Sequence, residues 1–562
     1  MEVISQFLKN IYEENPDRVA IYILQTNLPD IPVTYRDLIH GAAGYAETYN
    51  NNGIIPGDVI IIILQHGIDL IFAYFGAILH GAIPSIMPFL TEKLLPERYR
   101  TDLASLVAIT HPTCIVSYKE FELEVRSALK PGDSVKSVIL SNQVDEPRVP
   151  NFVGLSGLQS DPDETVLLQH SSGTTGLQKG VALSHQAVIS QLESYSSVLG
   201  IQEDKDVIVS WLPLYHDMGL IACFILPILH KIPLVLISPF DWVRAPYRLL
   251  QAVSLYKGTL SWLPNFAFNF CAQKIRERNL DGVDLSTWRA VINCSEPMRW
   301  ESHQAFYERF KKFGLRYESL VTCYAMAENV FAVTQGGFDG PVKVDEIDRE
   351  SFQNKRVAKK STNEKDSIKM LSAGKPIPNV RVKIMDGDGN HLKDRTIGEI
   401  RIVSNCMLTG YFNRPDLTRK AFINGWYLTG DFGYMVDGEV FVTGRKKDLI
   451  IVGGKNVYPQ DIEQLAMEVQ GVHPGRVVAF GVYNEELGTE DVVLIAEIAS
   501  VEPKEMEMIS DQIRQVVTKG SAIALRKILL VDKKWLVKTS SGKIARSANR
   551  EKYLKEIRSY VQ

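Results

Sequence analysis

A short polar segment between two apolar runs carries the side chains best suited to bind phosphate. Residues 169–180 contain four hydroxyl side chains, three glycines and one lysine, Lys179. Glycines let backbone N–H groups close on a ligand, hydroxyls add donors, and a lysine supplies a positive point charge. The segment is not a P-loop, because Gly180 follows Lys179 where a P-loop has Ser or Thr.

Two interpretations of this segment are open: a flexible hairpin loop of small polar residues, or a cradle for the phosphates of a nucleotide. The density of hydrogen-bond donors favours the phosphate cradle. The predicted phosphate-binding residues are Ser171, Ser172, Gly173, Thr174, Thr175, Gly176 and Lys179.

The elements that would position this segment alternate between strand-like and helical patterns. Residues 35–50 predict a helix and residues 59–64 a buried strand. Ser184 is a suitable N-cap for a helix over residues 185–199, which Gly200 would end. Repeated alternation of this kind predicts an α/β protein with largely parallel sheets.

Residues 70–89 are almost entirely apolar and have the length of a membrane span. They are interrupted by Gly81, Pro84 and Pro88, however, and they follow a predicted strand. A buried helix that ends near His80, followed by a turn and a short strand, is the better interpretation. We therefore expect no integral membrane span.

Composition narrows the class of protein. A chain of 562 residues is too long for one ordinary core, so two or more domains are expected. A formal net charge of −4 gives no electrostatic reason to expect a nucleic-acid partner. The six cysteines lack zinc-type or redox-type spacing, and the N-terminus lacks the basic region of a signal peptide. These features favour a cytoplasmic protein with reduced thiols.

The alternating pattern is interrupted twice. Residues 341–369 are crowded with charge and poor in large apolar side chains, which predicts a solvated surface insertion. After Gly444 a basic stretch leads into a smaller unit, in which Pro459 opens a helix. We predict a large N-terminal domain, residues 1–445 with the insertion, and a small C-terminal domain, residues 446–562.

Further motifs acquire meaning from their order along the chain. They are Asn-Cys-Ser-Glu-Pro at 293–297, Tyr-Ala-Met-Ala-Glu at 324–328, Tyr-Leu-Thr-Gly-Asp at 427–431, Gly-Arg at 444–445 and Lys-Thr-Ser-Ser-Gly-Lys-Ile-Ala-Arg at 538–546. Each is weak alone. Together with the phosphate-binding segment they closely resemble the acyl-adenylate-forming superfamily of acyl-CoA synthetases, luciferases and peptide-synthetase adenylation domains. The resemblance implies a large region of two doubly wound subdomains plus a distorted β-barrel, and a small mobile α+β C-terminal domain that acts as a lid.

The resemblance implies a role for each matching residue. The phosphate-binding segment would hold the β- and γ-phosphates of ATP, and Glu328 with Thr175 would hold Mg²⁺, which prefers hard oxygen ligands. Tyr324 would lie on the adenine, while Asp431 and Arg445 would reach the ribose. Other residues implied at the nucleotide are Ser295, Glu296, Pro297, Ala325, Met326 and Ala327. Family members usually have glycine where Ala325 stands, a small departure with no expected loss of function.

Lys543 is implied to catalyse the first step. A carboxylate that attacks the α-phosphorus of ATP brings anion to anion, and negative charge builds on the bridging oxygens as pyrophosphate leaves. A lysine at this point stabilises the transition state. A solvated surface lysine is the alternative, but Gly542 and Arg546 also match the family pattern.

The acid would bind near His216. This residue matches a family histidine at the floor of the carboxylate site, although a lone histidine among apolar residues is more often structural. The residues implied to border the acyl pocket are Trp211, Met218, Phe266 and Phe268.

The motifs around residues 210–220 and 264–268 look most like those of fatty acyl-AMP ligases. In that group an insertion at the place of residues 341–369 disfavours CoA. The resemblance implies that a medium- or long-chain fatty acid is activated to acyl-AMP and passed to the phosphopantetheine thiol of an acyl carrier protein in trans. Lys447 matches the hinge about which the lid would turn between the two steps.

Three other functions stay open: an acyl-CoA synthetase, an enzyme that activates an amino or aryl acid, and a nucleotide-binding protein that has lost catalysis. The presence of Lys543, Glu328 and Asp431 argues against the last of these. The preferred thiol acceptor distinguishes an acyl-CoA synthetase from a carrier-loading ligase. The preferred acid identifies an enzyme that activates an amino or aryl acid.

Overall fold

The computed structural model describes residues 2–89, 96–144, 147–171, 179–363, 366–452, 455–485, 488–499, 502–521, 523–539 and 542–561. The helices in these ranges are α1 Ile4–Glu14, α2 Tyr35–Asn51, α3 Ile68–His80, α4 Pro96–Thr110, α5 Glu122–Ala128, α6 His185–Leu199, α7 Leu226–Leu229, α8 Pro239–Arg244, α9 Tyr247–Leu255, α10 Asn265–Lys274, α11 Trp300–Phe310, α12 Arg349–Lys355, α13 Pro415–Ala421, α14 Pro459–Met467, α15 Pro503–Ser521 and α16 Arg546–Val561.

The strands of the first part of the chain are β1 Val19–Ile23, β2 Ile31–Thr34, β3 Val59–Ile62, β4 Ile83–Ile86, β5 Cys114–Ser117, β6 Ser137–Leu140, β7 Thr165–Ser171, β8 Lys179–Ser184, β9 Ile208–Ser210, β10 Leu234–Leu236, β11 Leu260–Leu263, β12 Ala290–Asn293, β13 Leu320–Ala325 and β14 Ala332–Gly336. Those that follow are β15 Val344–Asp348, β16 Ser367–Leu371, β17 Lys375–Pro376, β18 Val380–Met385, β19 Gly398–Ser404, β20 Gly410–Tyr411, β21 Phe422–Ile423, β22 Trp426–Val436, β23 Glu439–Arg445, β24 Ile450–Val452, β25 Lys455–Val457, β26 Val472–Asn484, β27 Thr489–Ile498 and β28 Leu525–Val531.

The local signals in the sequence explain where several helices begin and end. Thr34 Oγ1 accepts from the Asp37 amide and Asp37 Oδ2 accepts from the Thr34 amide, so α2 opens with a capping box. Ser184 caps α6 by accepting from the Ala187 amide, and Gly200 ends that helix with a φ of 58°. The predictions for these two helices are confirmed.

The apolar stretch that begins at residue 70 is a buried helix followed by a strand, as predicted. Helix α3 ends at His80, Gly81 turns the chain with a φ of 85°, and β4 follows. Within the described ranges, no helix combines the length and the apolar character needed to cross a bilayer.

Among the described residues, the largest sheet has the strand order β17-β14-β13-β12-β11-β9-β10-β1-β2. Its central strands from β13 to β1 are parallel, and antiparallel strands occur at both ends. A second, wholly parallel sheet has the order β4-β3-β5-β6. The predicted α/β class with largely parallel sheets is confirmed.

Antiparallel strands build the remainder of the large region. Strands β18, β19, β22, β21 and β23 form one sheet, and β20, β8 and β7 form a smaller one. The C-terminal part has a separate sheet, β26-β27-β28, packed with α14 and α15 around its own apolar core. Each of the six cysteines lies in a described range, and each is a buried free thiol.

The prediction of a solvated insertion at residues 341–369 was wrong in one respect. Its lysines at 355, 359 and 360 are exposed, as expected, but the segment also folds into β15, α12 and β16. Ile347, Phe352 and Ala358 are buried in a core that they share with Tyr458 of the C-terminal part. The apolar side chains are few, but they are spaced so that they meet in one cluster.

The insertion is also bound to the large region through its charges. Asp345 accepts two hydrogen bonds from Arg395, at 3.0 and 3.1 Å, and a third from the Tyr434 hydroxyl at 2.9 Å. The Lys369 ammonium lies 4.3 Å from the centre of the Trp300 ring. Pairing of this kind allows a charge-rich segment to pack instead of remaining solvated.

A second set of contacts joins the insertion to the C-terminal part, and we refer to it as the clasp. The Phe352 and Tyr458 rings lie 5.0 Å apart between centroids. Asn456 donates to the Gln353 carbonyl at 3.2 Å and accepts from Arg356 at 3.1 Å. The insertion therefore touches both parts of the molecule.

Candidate active site

The predicted phosphate-binding segment connects two antiparallel strands. Strands β7 and β8 pair with Ser171 opposite Lys179, and β20 pairs with the other edge of β8. Residues 172–178 lie outside the described ranges, so the assignments of Ser172, Gly173, Thr174, Thr175 and Gly176 stay predictions.

Lys179 and Glu328 meet at one tyrosine. The Tyr411 hydroxyl donates to Glu328 Oε1 at 2.9 Å and lies 3.0 Å from the Tyr427 hydroxyl. The Lys179 ammonium lies 4.8 Å from the centre of the Tyr411 ring. The residue predicted for phosphate and the residue predicted for metal are thus held by the same side chain, which the sequence motifs did not reveal.

Tyr324, Asp431 and Arg445 form a second group on neighbouring strands. The Tyr324 hydroxyl donates to Asp431 Oδ2 at 2.6 Å, and Arg445 Nε lies 3.6 Å from Asp431 Oδ1. Asp431 stands opposite Arg445 in the β22–β23 pair. Burial raises the pKa of Asp431 above its ordinary value, although Arg445 and Tyr324 oppose that rise. The structure brings these predicted residues together.

The turn after β12 shapes the wall of the site beside this group. Ser295 has a φ of 69°, the left-handed region that few side chains adopt. Glu296 Oε2 accepts from the Phe266 amide at 3.0 Å, so the turn is tied to the first residues of α10. Pro297 follows in the same turn.

The motif from Ala325 to Ala327 continues from β13. The register of the β13–β14 pair shifts between Tyr324 and Ala325, and the Met326 amide donates to the Phe331 carbonyl at 2.9 Å. Ala327 is buried and precedes Glu328 in a short turn. This irregularity redirects the chain so that Glu328 reaches Tyr411.

Lys543 reaches this site from the C-terminal part. Its Nζ donates to the Ser295 carbonyl at 2.7 Å and lies 3.5 Å from His216 Nε2. Arg546, at the start of α16, donates to Asp448 and to both carboxylate oxygens of Glu463. The loop that carries Lys543 is therefore anchored to its own domain while its side chain enters the other.

His216 has a charged neighbour that the motifs did not single out. His216 Nδ1 lies 2.6 Å from Asp217 Oδ1, and the Met218 amide donates to the same oxygen at 2.8 Å. Burial opposes ionisation of Asp217, but His216 and Lys543 lower its pKa below the ordinary value. The only signal in the sequence was its position next to His216.

The residues predicted to border the acyl pocket do not all meet. Trp211 is stacked at 3.5 Å on Trp242, and Phe266 contacts both rings edge-on at 6.2 Å between centroids. Met218 is buried beside the Ser295 hydroxyl.

Phe268 packs apart from the Trp211 and Phe266 rings, and its assignment to the acyl pocket stays a prediction. Phe268 stacks on His303 at 5.1 Å and packs edge-on against Phe306 at 5.0 Å, in the core between α10 and α11. Two residues along a helix turn a side chain by roughly 200°, so Phe266 and Phe268 point in different directions. Trp242 takes part in the aromatic group instead.

Lys447 lies in a short turn, Lys446–Asp448, between β23 and β24. The turn joins the sheet that carries Asp431 to the part of the chain that carries Lys543. Its position agrees with the predicted boundary, and the hinge role stays a prediction.

Two antiparallel strands that end at Ser171 and Lys179, a paired Tyr and Asp, and a lysine that reaches in from the small C-terminal domain agree with the motifs of adenylate-forming ligases. Residues 8–412 match the model of the AMP-binding enzyme family, and the chain belongs to that family. The resemblance inferred from the motifs is confirmed, as are the fold class and the ligase class.

Comparisons with individual proteins agree with this assignment. The chain is 30% identical to the medium-chain-fatty-acid–[acyl-carrier-protein] ligase JamA of Moorena producens (strain JHB), over 96% of this chain and 92% of that protein. The solved fatty acyl-adenylate ligase of L. pneumophila, in complex with acyl adenylate and pyrophosphate, is 28% identical, has a TM-score of 0.74, and is covered over 99% of this chain and 96% of that chain. A structure from studies of fatty acyl-adenylate ligases of E. coli and L. pneumophila has a TM-score of 0.88 at 24% identity, over 100% of this chain and 98% of that chain, and shows the same fold.

Proposed function

We propose that this chain activates a medium- or long-chain fatty acid with ATP, releasing pyrophosphate, and then transfers the acyl group to the phosphopantetheine thiol of an acyl carrier protein in trans. The observation that carries the first step is the contact of Lys543 with the Ser295 carbonyl beside His216. This contact supports the first step, because a cation beside the acid and the α-phosphate would stabilise the negative charge that develops as the acid attacks.

In this proposal the nucleotide is held by the large domain. Tyr324 lies against the adenine with Ser295, Glu296, Pro297 and the residues 325–327, and Asp431 and Arg445 take the ribose. The Tyr324–Asp431 hydrogen bond of 2.6 Å supports the assignment, because it fixes a carboxylate at a defined distance from an aromatic ring. Lys179 and residues 171–176 of the predicted phosphate-binding segment take the β- and γ-phosphates.

Glu328 would hold Mg²⁺, together with Thr175 and the phosphates of ATP. In the described part of the chain, no three His, Cys, Asp or Glu side chains are grouped as in a self-contained metal site. A single carboxylate that shares the ion with phosphate oxygens suits Mg²⁺, which keeps several of its waters. When bound, the ion would neutralise phosphate charge.

The fatty acid would enter past Trp211, Met218 and Phe266, with its carboxylate toward His216. The apolar and aromatic character of this group supports an alkyl substrate, and the name of the carrier-protein ligase of Moorena producens supports a medium chain. An amino-acid substrate is disfavoured, because Asp217 is already paired with His216 and would not be available for an ammonium group.

We further propose that residues 1–445 form the adenylation domain and residues 446–562 a mobile lid that turns about Lys447, and that the protein works in the cytoplasm. Two separate apolar cores on either side of the turn support this division. The lid would deliver Lys543 for the first step and move away to admit the thiol for the second.

The insertion would select the acceptor. It is bound to the large domain through Asp345 and Lys369 and to the lid through the clasp, so it opposes movement of the lid. CoA would then be a poor acceptor, whereas a carrier protein can use its own contact surface to stabilise the second pose. A carrier-protein acceptor is also named for the relative from Moorena producens.

A coupled assay tests the acceptor. Purified protein is given decanoic acid, ATP, Mg²⁺ and either CoA or a phosphopantetheinylated carrier protein, and the products are identified by mass spectrometry. We expect abundant acyl-AMP, rapid carrier loading and negligible acyl-CoA. Efficient acyl-CoA formation by the intact protein would contradict the proposal and favour an acyl-CoA synthetase.

A further inference from the structure

Asp217 is partly buried beside the residues assigned to the carboxylate and has received no role in the reaction. Its side chain is 12% exposed, and that of His216 is 18% exposed. The carboxylate lies 2.6 Å from His216 Nδ1 and accepts from the Met218 amide at 2.8 Å. A carboxylate at this distance constrains the histidine ring that it contacts.

The constraint concerns which nitrogen of His216 carries the proton. The Met218 amide lies 3.4 Å from His216 Nδ1 but makes its shorter contact, 2.8 Å, with Asp217 Oδ1. A carboxylate can only accept, so the 2.6 Å contact between Asp217 and His216 requires a proton on Nδ1. In a neutral ring Nε2 is then an acceptor, and this is the nitrogen that lies 3.5 Å from Lys543 Nζ. Asp217, His216 and Lys543 thus form one connected series that ends at the position proposed for the acid.

The backbone around this pair is held firmly enough to make the contact specific. The His216 amide donates to the Pro213 carbonyl, the Leu220 amide donates to the His216 carbonyl, and a π-helical segment begins at Met218. An added Cβ at Gly219 would lie 2.3 Å from the Pro213 carbonyl oxygen, so only glycine fits there. Such π-helical turns often carry functional residues because they displace side chains from the regular helical spacing.

We propose that Asp217 is a positioning residue for adenylation, which fixes the ring orientation and tautomer of His216 so that Nε2 faces Lys543 and the substrate carboxylate. This inference rests on the proposed function, since it assigns Asp217 to the first half-reaction. Outer partners of this kind orient the histidine that acts directly, as they do for histidines that bind metals.

Kinetic analysis of Asp217→Ala, Asp217→Asn, His216→Ala and the double alanine variant tests the role. We expect Asp217→Ala to lower kcat for acid-dependent pyrophosphate exchange by about tenfold to a hundredfold, with the KM for ATP unchanged. Asp217→Asn should retain most of the activity, because its amide oxygen can accept from the same Nδ1–H. The double variant should be no slower than His216→Ala, because Asp217 is proposed to act only through His216 and the two losses then do not add. Additive losses, or an increase in the KM for ATP, would contradict the proposal.

Asp206→Asn is the matched control for loss of a buried carboxylate. Asp206 has a side chain 2% exposed and is paired with Arg289, away from the site. We expect this variant to melt at a lower temperature while the exchange rate per folded molecule stays unchanged. If Asp206→Asn lost as much activity as Asp217→Ala, the effect at Asp217 would be explained by a structural role alone.

Nitrogen NMR of protein labelled in histidine gives a readout that does not depend on the reaction. The signals of His216 are assigned by their absence in His216→Ala. We expect a protonated Nδ1 and an unprotonated Nε2 in the intact protein, and a mixture of tautomers in Asp217→Ala. The same tautomer in both proteins would overturn the inference even if exchange is active. Correct tautomers without any acid-dependent exchange would support the geometry and contradict the proposed function instead.

Discussion

The nucleotide side and the carboxylate side of the site are assembled in different ways. Tyr324, Asp431 and Tyr411 lie on strands of the large region and Glu328 lies in the short turn after β13. They are joined by hydrogen bonds of 2.6 and 2.9 Å. The carboxylate side, by contrast, is completed by Lys543 from the C-terminal part. In the proposed mechanism the nucleotide side is present in any position of the lid, whereas the carboxylate side is complete only when the lid is closed.

This difference separates binding from catalysis. A nucleotide or an acyl-adenylate can bind to the large region whether or not Lys543 is in place. In the proposed mechanism, charge stabilisation in the first half-reaction requires the closed lid, and the second half-reaction requires that the lid move away. Variants on the nucleotide side should therefore affect binding in both half-reactions, whereas loss of Lys543 should affect the first half-reaction alone.

The largest effect is expected for Lys543→Ala. Loss of the cation should raise the activation free energy of acyl-adenylate formation by on the order of 3 kcal/mol or more, which lowers the rate by a factor of at least about 100. Thioester formation from supplied acyl-adenylate should be largely intact, because that step does not use this side chain. Single-turnover measurement of each half-reaction is the test. If Lys543→Ala were folded and slowed both half-reactions equally, the proposed distinction between the two sides of the site would be wrong.

Lys447→Pro should affect the passage between the two poses. Proline fixes φ and restricts the residue before it, so the turn Lys446–Asp448 loses the freedom that a rotating lid needs. We expect one half-reaction to continue and the other to slow strongly. Lys447→Ala is the control, since it removes the same side chain and leaves the backbone free. Near-normal rates for both half-reactions in the proline variant would show that the hinge lies elsewhere.

Asp431→Asn should weaken the nucleotide side without disturbing the lid. Loss of the charge should raise the KM for ATP and the KM for supplied acyl-adenylate by about tenfold each, the usual range for a charged hydrogen bond. Asp437→Asn, at the exposed turn between β22 and β23, is the matched control. If Asp431→Asn impaired only the first half-reaction, Asp431 would act in catalysis of that step, as Lys543 does, and its assignment to nucleotide binding would be wrong.

Opening the clasp is expected to have the smallest effect. Phe352→Ala with Arg356→Ala removes the interactions with Tyr458 and Asn456 while the buried pair of Asp345 and Arg395 stays intact. We expect a gain of a few fold in acyl-CoA formation and little change in acyl-AMP formation, because the ion pair of Arg299 with Asp461 still joins the lid to the large domain in this variant. Lys360→Ala, an exposed lysine of the same insertion, serves as the control. If acyl-CoA formation did not increase, the clasp would not determine the choice of acceptor. The cause would then lie in the channel through which the thiol reaches the acyl-adenylate.

The ordered motifs of the sequence singled out three residues that lie together in the structure. Tyr324, Asp431 and Arg445 were each assigned from a short motif, and the structure brings them within hydrogen-bonding or ionic distance. Tyr411 could not be found in this way. Its contact with Lys179 depends on the pairing of β20 with β8, between segments more than 200 residues apart along the chain.

The carboxylate side shows a different limit of sequence interpretation. A motif gives the position of a residue but not the face of the helix it occupies, which is why Phe266 and Phe268 were grouped and then separated. The insertion was interpreted from its average charge, whereas its packing depends on three apolar residues and one buried ion pair. Composition describes a segment as a whole and does not reveal such local pairing.

Acid-dependent exchange of labelled pyrophosphate into ATP tests the central claim most directly. The intact protein and Lys543→Ala are compared across a panel of fatty, aryl and amino acids at fixed Mg²⁺. We predict rapid exchange with medium- or long-chain fatty acids, little with aryl or amino acids, and near loss of exchange in the variant. Exchange that prefers an amino or aryl acid, or that persists without Lys543, would contradict the claim.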